Sequence, residues 1–161
     1  MDFGEPKITV EIITKVDDEL RDIMLGIDEE AFGSGSLTEW TLPLFLNYGR
    51  IYLARYNGKP VGVAELIRDW RDPDLAYMYG YAIDEEYRGY GFGTSLLRAI
   101  LENLPRAGFR RLQIIVHPEN QIAIHLCQEK FRMKKVEFIK NYYGYGEDRL
   151  LMEWKAEINE T

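Results

Sequence analysis

LAYMYGYAIDEEYRGYGFGTSLLRAILEN, residues 75–103, decides the fold. Leu75 to Ile83 is apolar and aromatic enough for a strand. Arg88-Gly89-Tyr90-Gly91-Phe92-Gly93-Thr94 then makes a glycine-rich loop. Beyond it Leu96, Leu97, Ile100, Leu101 and Leu104 share one helical face, and Pro105 stops the helix. Glycines in such a loop permit positive φ and let backbone approach a ligand closely. The free N–H groups of the helix start, at the positive end of its dipole, suit phosphate oxygens. One exposed contact of this kind is worth only about 0.3–1 kcal/mol, so several must converge to hold a pyrophosphate. Arg88 and Thr94 can add side-chain donors.

Two familiar phosphate loops do not fit. A Walker loop ends in Gly-Lys-Ser/Thr, which this chain lacks. A dinucleotide loop needs Gly-x-Gly-x-x-Gly in an early strand–helix–strand unit, but here the third glycine comes one residue too soon, after several strands. A glycine-rich turn with no ligand is the plain alternative, but a turn alone does not need three glycines leading into a well-formed helix.

Working outward, Lys7 to Thr14 alternates with β-branched residues and predicts a strand. Asp17 to Phe32 predicts a helix from Leu20, Ile23, Met24, Ile27 and Phe32, ended by Gly33-Ser34-Gly35. Ser36 and Glu39 read as a capping box for a second helix near residues 37–48, with Pro43 in its early part. Ile51–Tyr56, Asn57-Gly58 and Pro60–Ile67 make a hairpin signal, followed by the polar loop Asp69–Asp74. Arg111–Val116 is expected to be a buried strand. Pro118 and Asn120 open a helix to about Lys130, and strands near 133–140 and 149–155 close the chain. The order is β-α-α-β-β-β-α-β-α-β-β, an α/β fold with a mixed central sheet and helices on both faces. Without repeats or linkers, residues 8–155 are expected to form a single domain.

The chain has 161 residues, 46% of them hydrophobic and 29% charged, a globular composition. No apolar run approaches the roughly 18 residues of a membrane span. The opening MDFGEPKITV lacks a basic region followed by an apolar one, so a cytoplasmic location is expected. The single cysteine, Cys127, excludes an internal disulfide and a cysteine-rich metal site. A net charge of −7 argues against nucleic acid as a partner and favours cationic acceptors such as amines. His117 and His125 have no third ligand nearby in sequence, so no metal is expected. Cys127 lies among Ala123, Ile124 and Phe131 and is expected to be a small buried residue. Trp40, Trp70 and Trp154 are expected in the core or at its rim. Tyr79 and Tyr81 alternate on their strand and either pack on one face or serve a ligand.

Arg88-x-x-Gly91-x-Gly93, following Tyr81-Ala82-Ile83-Asp84-Glu85-Glu86-Tyr87, resembles the acetyl-CoA motif of the GCN5-related N-acetyltransferases (GNAT). Asn120-x-x-Ala123 and the element order from about residue 8 to residue 155 are similar to the same family. The ending Tyr142-Tyr143-Gly144-Tyr145-Gly146-Glu147-Asp148-Arg149-Leu150-Leu151-Met152 resembles that of the ribosomal-protein alanine and related N-terminal acetyltransferases. The resemblance implies an enzyme that takes acetyl from acetyl-CoA without a metal. It implies that Tyr81, Ala82 and Ile83 pair through backbone groups with the pantetheine arm and that Arg88, Gly89, Tyr90, Gly91, Phe92, Gly93 and Thr94 wrap the pyrophosphate. It places Asn120 toward the pantetheine or sulfur end, and Tyr142 and Tyr143 in the acceptor groove with the loop from Phe32 to Trp40.

Relatives with a similar Tyr-Tyr-Gly block typically carry a glutamate on the fifth strand and a tyrosine on the next helix. Ile115 and Cys127 stand there in this chain. Tyr142 and Tyr143 are therefore the candidate catalytic residues, with Glu65 and His117 in reserve as bases acting through water. The missing acid and base leave a second reading open, a non-catalytic acyl-CoA sensor or interaction module on the same fold. The expected acceptor is a primary amine, a peptide α-amine first, then lysine, polyamines or diamino acids. An α-amine costs only about 1 kcal/mol to deprotonate at pH 7, against about 4.6 kcal/mol for a lysine-like amine.

Overall fold

The structure is a computed structural model that describes residues 7–157. The reading of the opening as lacking an export signal rests partly on residues 1–6, outside the described residues. The chain divides into two compact units. The first holds the residues up to Ile67 together with Tyr79–Glu102, and the second holds Arg68–Met78 and the residues from Asn103 on.

In the first unit β1 (Thr9–Ile13) pairs antiparallel with β2 (Arg50–Tyr56). Asn57 and Gly58, with φ of 49° and 81°, turn β2 tightly into β3 (Lys59–Arg68). Two successive left-handed residues match the twist of a hairpin, which is why Asn-Gly stands there. Between β1 and β2 lies α1 (Asp18–Phe32), whose first turn is capped by Asp17 accepting from the Leu20 N–H at 2.8 Å. Met24 and Ile27 of α1 close over a core with Leu42, Phe45, Ile51, Leu53, Val63 and Ala82.

The second helix, α2, begins at Leu42 and ends at Tyr48, so the expected capping box at Ser36 and Glu39 does not form. The reason is Pro43. A helix starting at residue 37 would bury the proline in its second turn, where the ring lacks an N–H and clashes with a carbonyl one turn back. The segment before it is instead a turn held by two threonines. Thr38 N–H donates to Thr41 Oγ1 at 2.9 Å, and the N–H groups of Trp40 and Thr41 donate to Thr38 Oγ1 at 3.2 Å.

The fourth strand, β4 (Leu75–Ile83), gives Tyr79–Ile83 to the first unit and Leu75–Met78 to the second. A short 3-10 turn (Glu85–Tyr87) and the glycine loop carry the chain from it into α3 (Phe92–Asn103). In the second unit, Leu75–Met78 runs parallel to β5 (Arg111–Val116), from Leu75 opposite Arg111 to Met78 opposite Ile114. Then come α4 (Gln121–His125), β6 (Lys134–Ile139) and β7 (Arg149–Lys155). The seven strands form one mixed sheet in the order β1-β2-β3-β4-β5-β7-β6. The element order is the expected one. β5 is buried on alternate residues only, Leu112, Ile114 and Val116, against β7, which sets Trp154, Met152 and Leu150 opposite them.

After His125 the helix widens into one π turn, Leu126–Lys130. Arg132 takes a left-handed φ of 53°, and the Met133 N–H returns to the Cys127 carbonyl at 2.9 Å. That closure spans one residue more than the ordinary helix-ending bond, as a π turn requires. Two of the three tryptophans are not core residues. Trp40 is 83% and Trp70 99% exposed, because one lies in the threonine turn and the other in a loop organised by Asp69, which accepts from the N–H groups of Arg71 and Asp72.

Candidate active site

In the glycine loop Gly89 and Gly91 have φ of 83° and 84°, a conformation that residues with a Cβ rarely adopt. Gly93 serves a different need. A Cβ there would lie 2.7 Å from the Tyr81 hydroxyl, which donates to the Gly93 carbonyl. The strand and the helix start are thereby tied side by side. Arg88 braces the loop from the other end: its Nε donates to the Ile83 carbonyl at 3.0 Å and its guanidinium pairs with Glu30. The Phe92 ring is buried against Tyr56, Tyr87 and Tyr90, so only its backbone can serve a ligand. Ala82 is buried, Tyr81, Ile83, Gly93 and Thr94 are half-buried, and Tyr90 is exposed. The result is a loop held open by glycines at the N-terminus of a twelve-residue helix, a fitting cradle for phosphate oxygens.

The same unit holds two buried carboxyl groups. Asp28, on α1, is 1% exposed, and Glu65, on β3, is 0% exposed. Asp28 Oδ2 accepts from the Leu37 N–H, whereas Asp28 Oδ1 and both Glu65 oxygens have no other hydrogen-bonding group of the protein to satisfy them. Burial raises the pKa of Asp28, opposed by the Leu37 N–H and by Glu65. Burial first, then the charge of Asp28, holds Glu65 well above the usual carboxylate range. Glu65 is packed against the backbone of Gly80, where an added methyl would sit 2.2 Å from its Oε2. Phe32 and Trp40, expected from the sequence to face the acceptor, are both exposed. Tyr79 packs at a tilt against Phe45, ring centroids 4.9 Å apart, and its hydroxyl donates to the Gly35 carbonyl at 3.2 Å.

The second unit gathers three tyrosines. Tyr142 and Tyr143 meet edge to face at 4.6 Å, and Arg149 lies over the Tyr143 ring at 5.0 Å. Their loop is folded by Asn141, whose N–H donates to Asp148 at 2.8 Å and whose side-chain oxygen accepts from the Gly146 N–H at 2.8 Å. The hydroxyl of Tyr77, on β4, is hydrogen-bonded with those of both tyrosines. Burial chiefly, then these two bonds, pushes the Tyr77 pKa far up. Tyr77 therefore keeps its proton at neutral pH.

Asn120 caps α4, its side-chain oxygen accepting from the Ala123 N–H at 3.1 Å, which leaves the amide NH2 as its donor toward a ligand. Cys127 is buried, as expected, and burial pushes its thiol up to about 11. It is a thiol at neutral pH. His117 is exposed just past β5, and its Nδ1 accepts from the Glu119 N–H at 3.2 Å. Glu65 and His117, the two reserve bases, fall in different units. Among the described residues, no group of three His, Cys, Asp or Glu side chains could hold a metal ion, and no helix is long and apolar enough to cross a membrane.

Residues 17–131 match the model of the acetyltransferase (GNAT) family. The chain belongs to that family. Among curated GNAT relatives, a Bacillus subtilis protein provisionally named ribosomal protein bS18-alanine N-acetyltransferase is 39% identical over 92 residues, 56% of this chain and 59% of its own length. An N-alpha-acetyltransferase of Saccharolobus solfataricus is 36% identical over 77 residues, 47% of this chain and 46% of its own. The chain thus spans about half the length of these two relatives. The fold extends further. The Escherichia coli ribosomal-protein-S18-alanine N-acetyltransferase superposes with a TM-score of 0.77 at 21% identity, covering 96% of this chain and 98% of that one. A GNAT acetyltransferase of Elizabethkingia anophelis, solved with acetyl-CoA bound, gives 0.72 at 20% identity, covering 92% and 97%.

Within this GNAT chain, sequence reading missed two residues. Tyr77 carried a signal, since Tyr77, Tyr79 and Tyr81 alternate on one strand. Asp28 carried one too: it falls four residues after Met24, on the stripe that α1 buries, where an acid has no reason to be unless it is bonded.

Proposed function

We propose that the chain moves the acetyl group of acetyl-CoA to a primary amine, with the α-amine of a protein or peptide as acceptor, and that residues 8–155 act as one acetyltransferase domain. The observation that carries this reading is the glycine loop, two left-handed glycines and one close-packed glycine at the start of α3. Its N–H groups would take the pyrophosphate of acetyl-CoA, and the backbone of Tyr81, Ala82 and Ile83 the pantetheine arm. The GNAT relatives named for alanine and α-amine acetylation support the acceptor class.

In the reaction a neutral amine attacks the thioester carbonyl. The new C–N bond forms, the C–S bond breaks, the amine nitrogen gives up a proton, and the departing thiolate takes one up. Holding the two reactants together supplies much of the rate, and a backbone N–H near the end of β4 would polarise the carbonyl. The hydroxyls of Tyr142 and Tyr143, backed by Tyr77, would orient the amine and pass its proton to water. Such hydroxyls at an acceptor loop support a transferase rather than a sensor. An α-amine needs little more, because deprotonating it at pH 7 costs only about 1 kcal/mol.

The test is release of CoA with short peptides bearing free N-termini and with the same peptides N-terminally blocked. Turnover of the free peptides only is expected. Turnover restricted to hydroxyl or aminoglycoside acceptors would overturn the acceptor class.

A further inference from the structure

We propose that Asp28 and Glu65 share one proton, with Glu65 as the acid donating it to the Asp28 carboxylate, and that this bond positions the segment from Gly33 to Trp40 for the acceptor. The function of that segment rests on the reading of the chain as an amine acetyltransferase; the shared proton does not.

The geometry admits few alternatives. Two ionised carboxylates cannot hydrogen-bond each other, and three of their four oxygens find no other partner. An unpaired buried charge is far too costly to keep, so the pair must be neutralised or bonded. Among the described residues no cation is paired with either acid. From α1 the charged group that acts on Glu65 is Asp28, from β2 the residue opposite is Ile51, and from β4 Gly80 lies against it. From the 33–40 segment the group bonded to the pair is the Leu37 N–H. Gly80 brings the carboxyls together. An added methyl there would lie 2.2 Å from Glu65 Oε2 and 3.5 Å from Asp28 Oδ1, so both oxygens converge on the space a side chain would fill. One proton between them leaves the pair with a single negative charge, and Asp28 directs that charge at the Leu37 N–H, a strong charge-assisted bond. Leu37 is buried, so the bond fixes the middle of a segment that is flanked by Phe32 and ends at Trp40, both of them exposed. Tyr79 holds the same segment at Gly35. The pair acts on the acceptor through Leu37, as positioning residues.

Infrared spectroscopy of the intact protein tests the proton directly. A protonated-carboxyl C=O band is expected to persist at neutral pH and to vanish in Glu65→Gln; absence of the band from the wild-type protein overturns the proposal. Hydrogen exchange at the Leu37 amide tests the bond. Glu65→Gln keeps a donor to Asp28 and is expected to keep Leu37 protected, whereas Glu65→Leu removes the donor and is expected to raise exchange at least tenfold. Equal exchange in the two variants overturns the proposal, and if Glu65→Leu does not fold, Glu65→Gln exchanging as an unprotected amide does the same. In turnover, Glu65→Leu is expected to raise KM for a peptide amine about tenfold while the acetyl-CoA Kd stays unchanged. The band and the exchange need no substrate, so a protein that shows both but acetylates no amine has refuted the acceptor reading and not the shared proton.

Discussion

The hydroxyl of Tyr81 donates to the carbonyl of Gly93, twelve residues on, and occupies the space where a side chain at Gly93 would stand. Strand and helix start are locked by this one bond, with no room for a Cβ, 2.7 Å away. Gly93→Ala is expected to displace Tyr81 and weaken acetyl-CoA binding about tenfold, a loss of about 1.4 kcal/mol. Tyr81→Phe removes the clashing oxygen, so the double variant is expected to bind more tightly than Gly93→Ala alone. Calorimetric titration of the three variants decides it, and simple addition of two losses would show that the contact is not the cause.

Gly89 and Gly91 make a second, purely conformational test. At Gly89 a Cβ would meet nothing within 4 Å, so a side chain there faces only the cost of its left-handed φ, about 1–2 kcal/mol. Gly89→Asn is expected to bind acetyl-CoA better than Gly89→Val, because asparagine tolerates that conformation. Gly91→Val is expected to lose at least tenfold in affinity while remaining folded, measured by calorimetry with circular dichroism as the check.

Tyr142→Phe or Tyr143→Phe is expected to lower kcat/KM by about ten- to a hundredfold, the lower part of the acid–base range. Tyr77→Phe should behave alike, since the Tyr77 hydroxyl interacts with both. Cys127→Ser is expected to retain most activity, because the thiol is buried and holds its proton up to about 11. Steady-state kinetics on variants that still bind acetyl-CoA would reverse this assignment if only the cysteine variant failed.

The buried acids give stability a definite pH dependence. Glu65 is held well above its ordinary value of 4.5, so the folded chain keeps a proton that the unfolded chain releases. Its contribution is whole below the unfolded pKa and is lost as pH rises through the folded one. Glu65→Gln carries no such proton. Its melting temperature relative to the wild-type protein is therefore expected to rise as pH rises from the acid side of 4.5 toward neutrality, measured by thermal melts across that range.

Asn120 has two separable roles. Asn120→Ala removes the cap on α4 and is expected to cost about 1 kcal/mol of stability, whereas Asn120→Ser restores most of it. Neither keeps the amide NH2. If that group meets acetyl-CoA, both variants bind it more weakly by a similar factor although only one is destabilised, and melts beside titrations separate the two effects.

Local chemistry carried most of the architecture into the sequence. Asn57-Gly58 specified its turn because only such residues take two left-handed conformations in succession, and the glycines at 89 and 91 announced their φ in the same way. The order of strands and helices followed from periodicity, which reports one face at a time. Local signals failed where they competed: Ser36 and Glu39 offered a cap, and Pro43 overruled it from within the would-be second turn. What the tertiary structure alone decided is which distant groups share a space. Asp28 and Glu65 are 37 positions apart, and Tyr77 and Tyr142 are 65 apart, so no spacing rule links either pair. A buried acid or hydroxyl acquires its meaning from the partner that desolvation forces upon it, and that partner is chosen by folding.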